Sequence, residues 1–135
     1  MIYVDTSVVL AQLLAEDRHP DDRFWNETLV SSRLLEYELW TRLHGRKLAR
    51  SHGDQARALI GRIALLEMVP LVLTRALEAF VQPVRTLDAL HLASAEFLRI
   101  RQPSIRLATY DARQAAAAKA MGIGLYELLP EPDDG

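Results

Sequence analysis

Short apolar runs with strand character alternate with helical segments along this chain, and this alternation limits the folds that it can adopt. Residues 2–4, 28–31 and 105–109 are such runs, rich in the β-branched and bulky apolar side chains that favour strands. Between them lie longer segments with apolar residues at helical spacing. Strands that alternate with helices in this way pair in parallel, so we expect an α/β sandwich around a short, mainly parallel sheet.

The remaining elements follow from the same patterns. Phe24 and Trp25 predict a short helix, and Gly122 predicts a glycine stop for an alanine-rich helix. Residues 68–72 and 125–128 are further extended candidates. We expect the longer helices over residues 8–15, 32–50, 54–67, 74–82, 86–101 and 112–121.

The composition is that of one globular domain. Half of the 135 residues are hydrophobic and a quarter are charged. We assign residues 1–129 to a single domain and residues 130–135 to a short acidic tail that we expect to be flexible. The net charge of −2 excludes a generally basic nucleic-acid coat protein but leaves room for a local basic groove.

Several classes of site and location are disfavoured by what the sequence lacks. Cysteine is absent, which excludes disulfides and thiolate zinc sites. No apolar run approaches the roughly 18 residues typical of a membrane span. The first residues show no basic segment ahead of an apolar one, the pattern of a secretory signal. We therefore expect a cytoplasmic location.

Two aspartates closely follow predicted strands. Asp5 comes directly after the first strand, and Asp111 follows the run that ends at Thr109. Because ligands gather at the carboxyl ends of parallel strands, both aspartates are expected at one rim of the sheet. Asp88 lies in the first turn of a helix whose N-cap is predicted at Thr86, where the helix dipole keeps a carboxylate ionised. Each aspartate, taken alone, also fits a simple role in starting or capping a helix.

The helix expected over residues 32–50 carries two further acids, Glu36 and Glu38. Both have apolar neighbours on a helical wheel, so periodicity does not choose between them, and either fits the margin of an amphipathic helix. Clustered carboxylates are costly, because two like charges ~4 Å apart repel by about 4 kcal/mol at a typical near-surface dielectric. Either some of these carboxylates hold a proton, or a cation neutralises them. Oxygen ligands without cysteine indicate that such a cation would be Mg²⁺ or Mn²⁺ rather than zinc. Such an ion activates water and stabilises charge in phosphate chemistry.

Several short stretches, in their order and spacing, resemble the PIN-domain ribonucleases, and in particular the small VapC-type toxins of bacterial type II toxin–antitoxin pairs. The stretches are residues 2–7, 32–39, 87–95 and 109–113, followed by 116–117 and 121–123. The resemblance covers nearly the whole chain. It implies a PIN-like three-layer sandwich, with a short, mainly parallel sheet flanked by helices.

The resemblance also implies the site residues. The acids of the family correspond to Asp5, Glu38, Asp88 and Asp111, which would be both the catalytic residues and the ligands of Mg²⁺, with Mn²⁺ as the alternative ion. Glu38 is preferred to Glu36 because of its spacing from the capping serine, Ser32. Thr6 and Thr109 match positions whose hydroxyl groups support the site.

The activity implied by the resemblance is endonucleolytic cleavage of RNA, in which a metal-activated water attacks a phosphodiester in the acidic pocket. The implied biological role is the toxin of a toxin–antitoxin pair. The family also implies a homodimer and a cognate VapB-type antitoxin whose C-terminal segment covers the acidic site.

Other functions fit parts of the pattern. A PIN-fold nuclease could act in RNA processing or on DNA flaps without a toxin role, and a non-catalytic module could bind the arginines of a partner through its acids. A phosphatase of the haloacid-dehalogenase type is disfavoured, because it needs a second aspartate where this chain has Ser7. A receiver domain is disfavoured because it needs adjacent acids early in the chain.

Two further features have both an ordinary and a functional interpretation. A basic stretch runs from Arg42 to His52 and fits either an RNA-backbone track or a solvated helix face. His91 lies on a similar helix face to Asp88, and a buried, hydrogen-bonded packing role is favoured over that of a catalytic base.

Overall fold

The computed structural model describes residues 1–128, which form one parallel sheet with helices on both faces. The strands found there are β1 (Ile2–Val4), β2 (Leu29–Ser32), β3 (Ala64–Leu66), β4 (Arg106–Ala108) and β5 (Gly124–Leu125). The helices are α1 (Thr6–Leu13), α2 (Leu34–Gly45), α3 (Ala49–Ile60), α4 (Pro70–Ala76), α5 (Thr86–Arg99) and α6 (Ala112–Ala120). The short helix predicted at Phe24 is a 3-10 helix over Phe24–Asn26. The strands are parallel, in the order β3-β2-β1-β4-β5.

The sheet separates two apolar cores, because successive side chains of a strand point to opposite faces. Ile2 and Val4 belong to the core covered by α1, α2 and α3, whereas Tyr3 belongs to the core covered by α5 and α6. Helix α4 packs against α5. All three residues of β1 are fully buried, as expected for a central strand covered on both faces. The expected three-layer α/β sandwich is confirmed.

The order of the strands reverses between β1 and β4. From β1 the chain moves outward to β2 and β3, whereas β4 leads outward on the other side to β5. A crevice opens beyond the carboxyl ends of the strands at such a reversal, and it is the usual ligand site of an open parallel sheet. Asp5 directly follows β1, and Asp111 follows β4 after two residues, so both aspartates lie at this edge.

In the middle of the chain, the predicted bounds of two helices are wrong. The helix predicted over residues 32–50 ends at Gly45 and a new one starts at Ala49, with Lys47 at a φ of 58° in the turn between them. The helix predicted over 54–67 ends at Ile60, and Ala64–Leu66 instead pairs with β2 as an edge strand. Pairing with the rest of the sheet outweighs local helical propensity here.

The segment around Pro70 is helical rather than extended as predicted. Pro70 is the first residue of α4, a position where the missing N–H costs no hydrogen bond. Helix α4 ends at Ala76, so the helix predicted over 74–82 is also wrong. The strands predicted at 28–31, 105–109 and 125–128 are present with shifted ends.

Two helix starts differ from the prediction, and one helix end agrees with it. Thr86 is the first residue of α5 rather than its N-cap, which is Arg85. Ser32 ends β2 instead of capping α2, although its Oγ atom accepts a hydrogen bond of 3.2 Å from the Leu34 N–H. Gly122, with a φ of 79°, follows the end of α6 as predicted.

The end of the predicted domain and the predicted acidic tail fall on residues 129–135, which lie outside the described residues. Within residues 1–128, no helix is both long enough and apolar enough to cross a membrane.

Candidate active site

Four carboxylates from separate parts of the chain line one pocket at the carboxyl edge of the sheet. They are Asp5, Glu38, Asp88 and Asp111, the four acids predicted from the sequence, and the pocket has a volume of about 390 Å³. Asp5 and Asp111 are the N-cap residues of α1 and α6. Glu38 lies in α2, and Asp88 lies in the first turn of α5. The fold thus brings together acids that are far apart in the sequence.

The Asp5 carboxylate is buried and held by two hydroxyl groups. Its Oδ2 atom accepts hydrogen bonds from Ser7 Oγ at 2.7 Å and from Thr109 Oγ1 at 2.8 Å. The side chain makes no capping hydrogen bond to α1, although Asp5 is its N-cap residue. The orientation of this carboxylate is therefore set by hydroxyl groups from α1 and from the residue after β4, and not by hydrogen bonds that cap α1.

The same hydroxyl groups connect the ends of β1 and β4. Ser7 Oγ accepts a hydrogen bond from the Tyr110 N–H at 3.0 Å, and Thr109 Oγ1 accepts one from the Asp111 N–H at 3.0 Å. Each hydroxyl therefore donates its proton to Asp5 and accepts from the backbone that follows β4. This arrangement joins the backbone of Asp111 to the carboxylate of Asp5.

Glu38 is held by a buried threonine and a buried histidine. Its Oε1 atom accepts a hydrogen bond from Thr6 Oγ1 at 3.0 Å and lies 2.5 Å from His91 Nε2. On the other side of the imidazole ring, Nδ1 lies 2.8 Å from the Tyr3 hydroxyl oxygen. His91 is 1% exposed. The buried, hydrogen-bonded environment expected for His91 is confirmed.

The surroundings of His91 favour its charged form. Burial alone disfavours an imidazolium, but the Tyr3 oxygen, the hydrogen bond to Glu38 and the charge of Asp5 outweigh burial and raise the pKa of His91 to about 10. The imidazolium then donates one N–H to Glu38 and the other to the Tyr3 oxygen. A buried cation therefore lies directly behind one acid of the pocket.

Asp88 is half-buried and lies among the other acids. Burial raises the pKa of its carboxyl group, and the negative charges of Asp111, Asp5 and Glu38 raise it further, whereas His91 opposes them. Negative charge is thus in excess around Asp88. A bound cation would offset that excess.

Asp111 combines two roles in the fold. Its Oδ1 atom accepts hydrogen bonds from the N–H groups of Arg113 at 2.9 Å and Gln114 at 3.3 Å, so it caps α6. The same side chain lines the acidic pocket. The capping role that the sequence allowed for Asp111 is therefore present together with its place in the pocket.

The structure separates the two acids of α2. Glu36 forms an ion pair of 2.8 Å with Arg33 and is not among the pocket residues, whereas Glu38 lines the pocket. The helical wheel could not choose between them because the difference lies in contacts from other elements. Thr6 in α1 and His91 in α5 supply those contacts for Glu38.

The chemistry of the four acids fits a hard divalent cation. The hydrogen bonds described above fall on a single oxygen of Asp5, of Glu38 and of Asp111. Carboxylate oxygens are the donors that Mg²⁺ and Mn²⁺ prefer. Within residues 1–128, no group of three or more His, Asp or Glu side chains already stands close enough to hold a metal ion. Unpaired carboxylates repel each other, so this site would have to contract around a cation.

The sequence patterns did not predict the roles of Ser7 and Tyr3 or the presence of Arg85 in the pocket. Ser7 follows Asp5 by two residues, and short polar side chains commonly make hydrogen bonds at that separation, so a local signal existed. Tyr3 gave no signal, because its role depends on His91 in a different element. Of the predicted basic stretch, Arg42 lines the pocket, and the residues that follow it up to His52 do not.

A larger apolar groove lies beside the acidic pocket and shares Thr86 with it. The groove has a volume of about 710 Å³ and is lined by α4, the loop after it and the start of α5. Among the described residues of its lining, Glu78 is the only titratable one. Because the described lining of the groove lacks converging acid or base groups, the smaller acidic pocket is the candidate active site.

The chain is similar to known proteins over nearly its whole length. The PIN domain family matches residues 2–123. Ribonuclease VapC46 of Mycobacterium tuberculosis (strain ATCC 25618 / H37Rv) is 34% identical over 128 residues, which cover 92% of this chain and 95% of the relative. Ribonuclease VapC47 of Mycobacterium tuberculosis (strain CDC 1551 / Oshkosh) is 29% identical over 129 residues, covering 90% and 93%. The resemblance seen in the sequence is confirmed: the chain belongs to the PIN-domain family.

Proposed function

We propose that this chain is a Mg²⁺- or Mn²⁺-dependent endoribonuclease that hydrolyses RNA phosphodiester bonds in its acidic pocket. The observation that carries the proposal is the convergence of four carboxylates, from four separate segments, on one pocket at the carboxyl edge of the sheet. The names of two similar proteins, both ribonucleases, support the choice of RNA as substrate. The catalytic residues and metal ligands in this proposal are Asp5, Glu38, Asp88 and Asp111.

The side chains around the acids have positioning roles in this proposal. Thr109 and Ser7 orient Asp5, and Thr6 with His91 orients Glu38, each through the hydrogen bonds described above. When bound, the cation would supply an activated water and neutralise charge on the phosphate. Burial and the negative charges of the neighbouring acids raise the pKa of Asp88, and a bound cation would offset those charges.

Two glutamates of α2 provide a matched test. Glu38→Gln removes a charge from the pocket, whereas Glu36→Gln makes the same chemical change outside it. We expect Glu38→Gln, Asp5→Asn and Asp88→Asn to lower cleavage of a labelled RNA by about 100-fold or more, because even the partners of metal ligands are worth up to about that much. Cleavage is measured with Mg²⁺, with Mn²⁺ and with EDTA.

The control variant Glu36→Gln should cleave RNA at the wild-type rate. Cleavage that continues unchanged in EDTA, or in both Asp5→Asn and Asp88→Asn, would refute the metal-dependent mechanism. A wild-type protein that cleaves no RNA but binds a basic partner through these acids would favour the non-catalytic binding module instead.

We further propose that the chain acts in the cytoplasm as the toxin of a toxin–antitoxin pair. In this role it forms a homodimer and binds a VapB-type antitoxin that covers the acidic pocket. The names of the two relatives support the role. The apolar groove offers surface for a protein partner, since Leu77 in its lining is 88% exposed.

Expression of the protein in a bacterial host tests the toxin role. Wild-type protein should arrest growth, Asp5→Asn should not, and co-expression of a small protein encoded beside it should relieve the arrest. Harmless overexpression of protein that is active in the cleavage assay would contradict the toxin role. That result would favour a PIN-fold nuclease in RNA processing.

A further inference from the structure

Three arginines lie close in sequence to the acids of the pocket. Arg42 follows Glu38 by four residues, Arg85 precedes Asp88 by three, and Arg113 follows Asp111 by two. All three arginines are exposed. Within residues 1–128, none of the three forms an ion pair.

A short separation in sequence is enough for an ion pair elsewhere in residues 1–128. Arg33 pairs with Glu36 at 2.8 Å, and Arg57 pairs with Asp54 at 3.1 Å, both over a separation of three residues. Arg85 and Asp88 have that same separation and do not pair. The guanidinium groups of Arg42, Arg85 and Arg113 therefore keep their hydrogen-bond donors available for a ligand. Other exposed arginines of the described residues are unpaired as well, and what distinguishes these three is their place in the lining of the pockets.

The three arginines follow one continuous depression. Arg42 and Arg85 line the acidic pocket. Arg85 and Asp88 also line an adjoining pocket of about 200 Å³, and Arg113 lies in that second pocket. Arg85 and Asp88 thus belong to both pockets and join them. The depression has carboxylates at its centre and arginines along its length.

A ligand for this depression must carry negative charge at several points along its length. An RNA strand does so, because each nucleotide contributes one phosphate. The four carboxylates repel that strand, and one cation compensates them only at the phosphate being cleaved. Neighbouring phosphates need their own partners, and arginine is the side chain best suited to them because its planar group donates two parallel hydrogen bonds.

We propose that Arg42, Arg85 and Arg113 bind the RNA backbone on either side of the phosphate that is cleaved. The strand runs along the depression from Arg42, past Asp88, to Arg113. This inference rests on the proposed ribonuclease function for the identity of the ligand. It assigns backbone binding to Arg85 and Arg113, which lie outside the basic stretch predicted from Arg42 to His52.

Binding of RNA without cleavage tests the proposal. All proteins carry Asp5→Asn, and the probe is a fluorescein-labelled single-stranded RNA of about 12 nucleotides, within the usual range of single-strand sites. Fluorescence anisotropy measures its affinity across a range of salt concentrations. The test variant combines Arg42→Gln, Arg85→Gln and Arg113→Gln. The control combines Arg46→Gln, Arg50→Gln and Arg62→Gln, which removes the same charge from exposed residues outside both pockets.

The test variant should bind RNA about tenfold more weakly or worse, and the slope of log affinity against log salt should fall by about 2, as expected for three lost phosphate contacts on a single strand. The control should keep the affinity and slope of its Asp5→Asn parent. Circular dichroism checks that both variants fold, which we expect because every substituted side chain is exposed.

Three results would overturn the proposal. An unchanged affinity in the test variant means that the RNA does not use this depression. An equal loss in the control means that the attraction is general or follows the basic stretch after Arg42. A test variant that keeps its RNA affinity but no longer binds a co-expressed protein partner assigns the arginines to that partner. Loss of RNA binding by the test variant alone supports the proposal even if the wild-type protein cleaves nothing, so this test and the test of the ribonuclease function fail separately.

Discussion

His91 and Glu38 form a largely buried ion pair, with 2.5 Å between Nε2 and Oε1, immediately behind the acidic pocket. The other ring nitrogen of His91 forms a hydrogen bond with the hydroxyl group of Tyr3, which lies in β1. The ion pair is thus linked to the sheet. Glu38 is therefore held from the side of the core by a charged group. Asp5 is instead held by hydroxyl groups and Asp111 by backbone N–H groups. Asp88 is exposed to the negative charges of the other acids.

Removal of His91 should destabilise the protein through Glu38. His91→Leu leaves this carboxylate without its cation, and we expect the free energy of unfolding to fall by roughly 3 kcal/mol, as for other buried pairs that lose one partner. The double variant His91→Leu/Glu38→Gln should lose less than the sum of the single variants, with a coupling of about 1–3 kcal/mol. Urea unfolding in EDTA measures all three. Additive losses would show that the two residues do not interact.

The stability of the cation-free protein should fall as the pH rises above neutral. The pKa of His91 is raised from 6.5 to about 10, so the folded protein binds this proton more tightly than the unfolded chain does. The resulting stabilisation is complete below pH 6.5 and is lost as the pH rises through about 10. Thermal unfolding in EDTA at several pH values measures this, with His91→Leu as the control that should show a flatter profile. A wild-type profile as flat as that of the variant would contradict the prediction.

The charge of Asp88 should lower the free energy of unfolding when no cation is bound. Its pKa is raised, so the folded state favours the protonated carboxyl and loses stability as the pH rises and the group ionises. Asp88→Asn removes this charge and should raise the melting temperature in EDTA at neutral pH by about 3 °C, which corresponds to somewhat less than 1 kcal/mol in a domain of this size. Addition of Mn²⁺ should raise the melting temperature of wild type more than that of the variant. A lower melting temperature for Asp88→Asn in EDTA would show that repulsion is not the dominant effect.

Two substitutions of Asp111 should separate its structural role from its role in the pocket. Asn caps helices about as well as Asp, so Asp111→Asn should leave the stability of α6 unchanged, whereas Asp111→Ala should cost about 1 kcal/mol. Both variants remove the charge, and both should therefore lose RNA cleavage to a similar extent. Chemical unfolding and the cleavage assay are measured on the same preparations. Full activity in Asp111→Asn would exclude this carboxylate from the chemistry.

The sequence predicted that Asp5 and Asp111 lie at the edge of the sheet because the signals for that position are local. A strand followed at once by Asp5, and another followed closely by Asp111, need only the rule that parallel strands end at one edge. The choice of Glu38 over Glu36 came from the family resemblance, and its physical basis is a contact with Thr6 and His91. Neither a helical wheel nor a spacing rule can predict a contact between side chains of different helices.

The errors in the middle of the chain have the same origin. Residues 64–66 have a composition that also suits a helix, and they form β3 because β2 offers an unpaired edge. Pro70 suited the end of a strand but starts α4 instead. The role of Tyr3 also depends on its partner, since only the docking of α5 brings His91 to its hydroxyl group. Features that depend on a partner distant in sequence could not be found from local patterns.

The position of β1 in the sheet has a consequence for synthesis of the protein. β1 is made first, yet one of its two neighbours, β4, begins at Arg106. Until the ribosome has added that strand, one side of β1 lacks its partner, and Asp5 lacks the Thr109 hydroxyl that orients it. Asp111 is added later still. A growing chain therefore carries three of the four acids without an assembled pocket, and the RNA cleavage proposed above would have to wait until the domain is nearly complete.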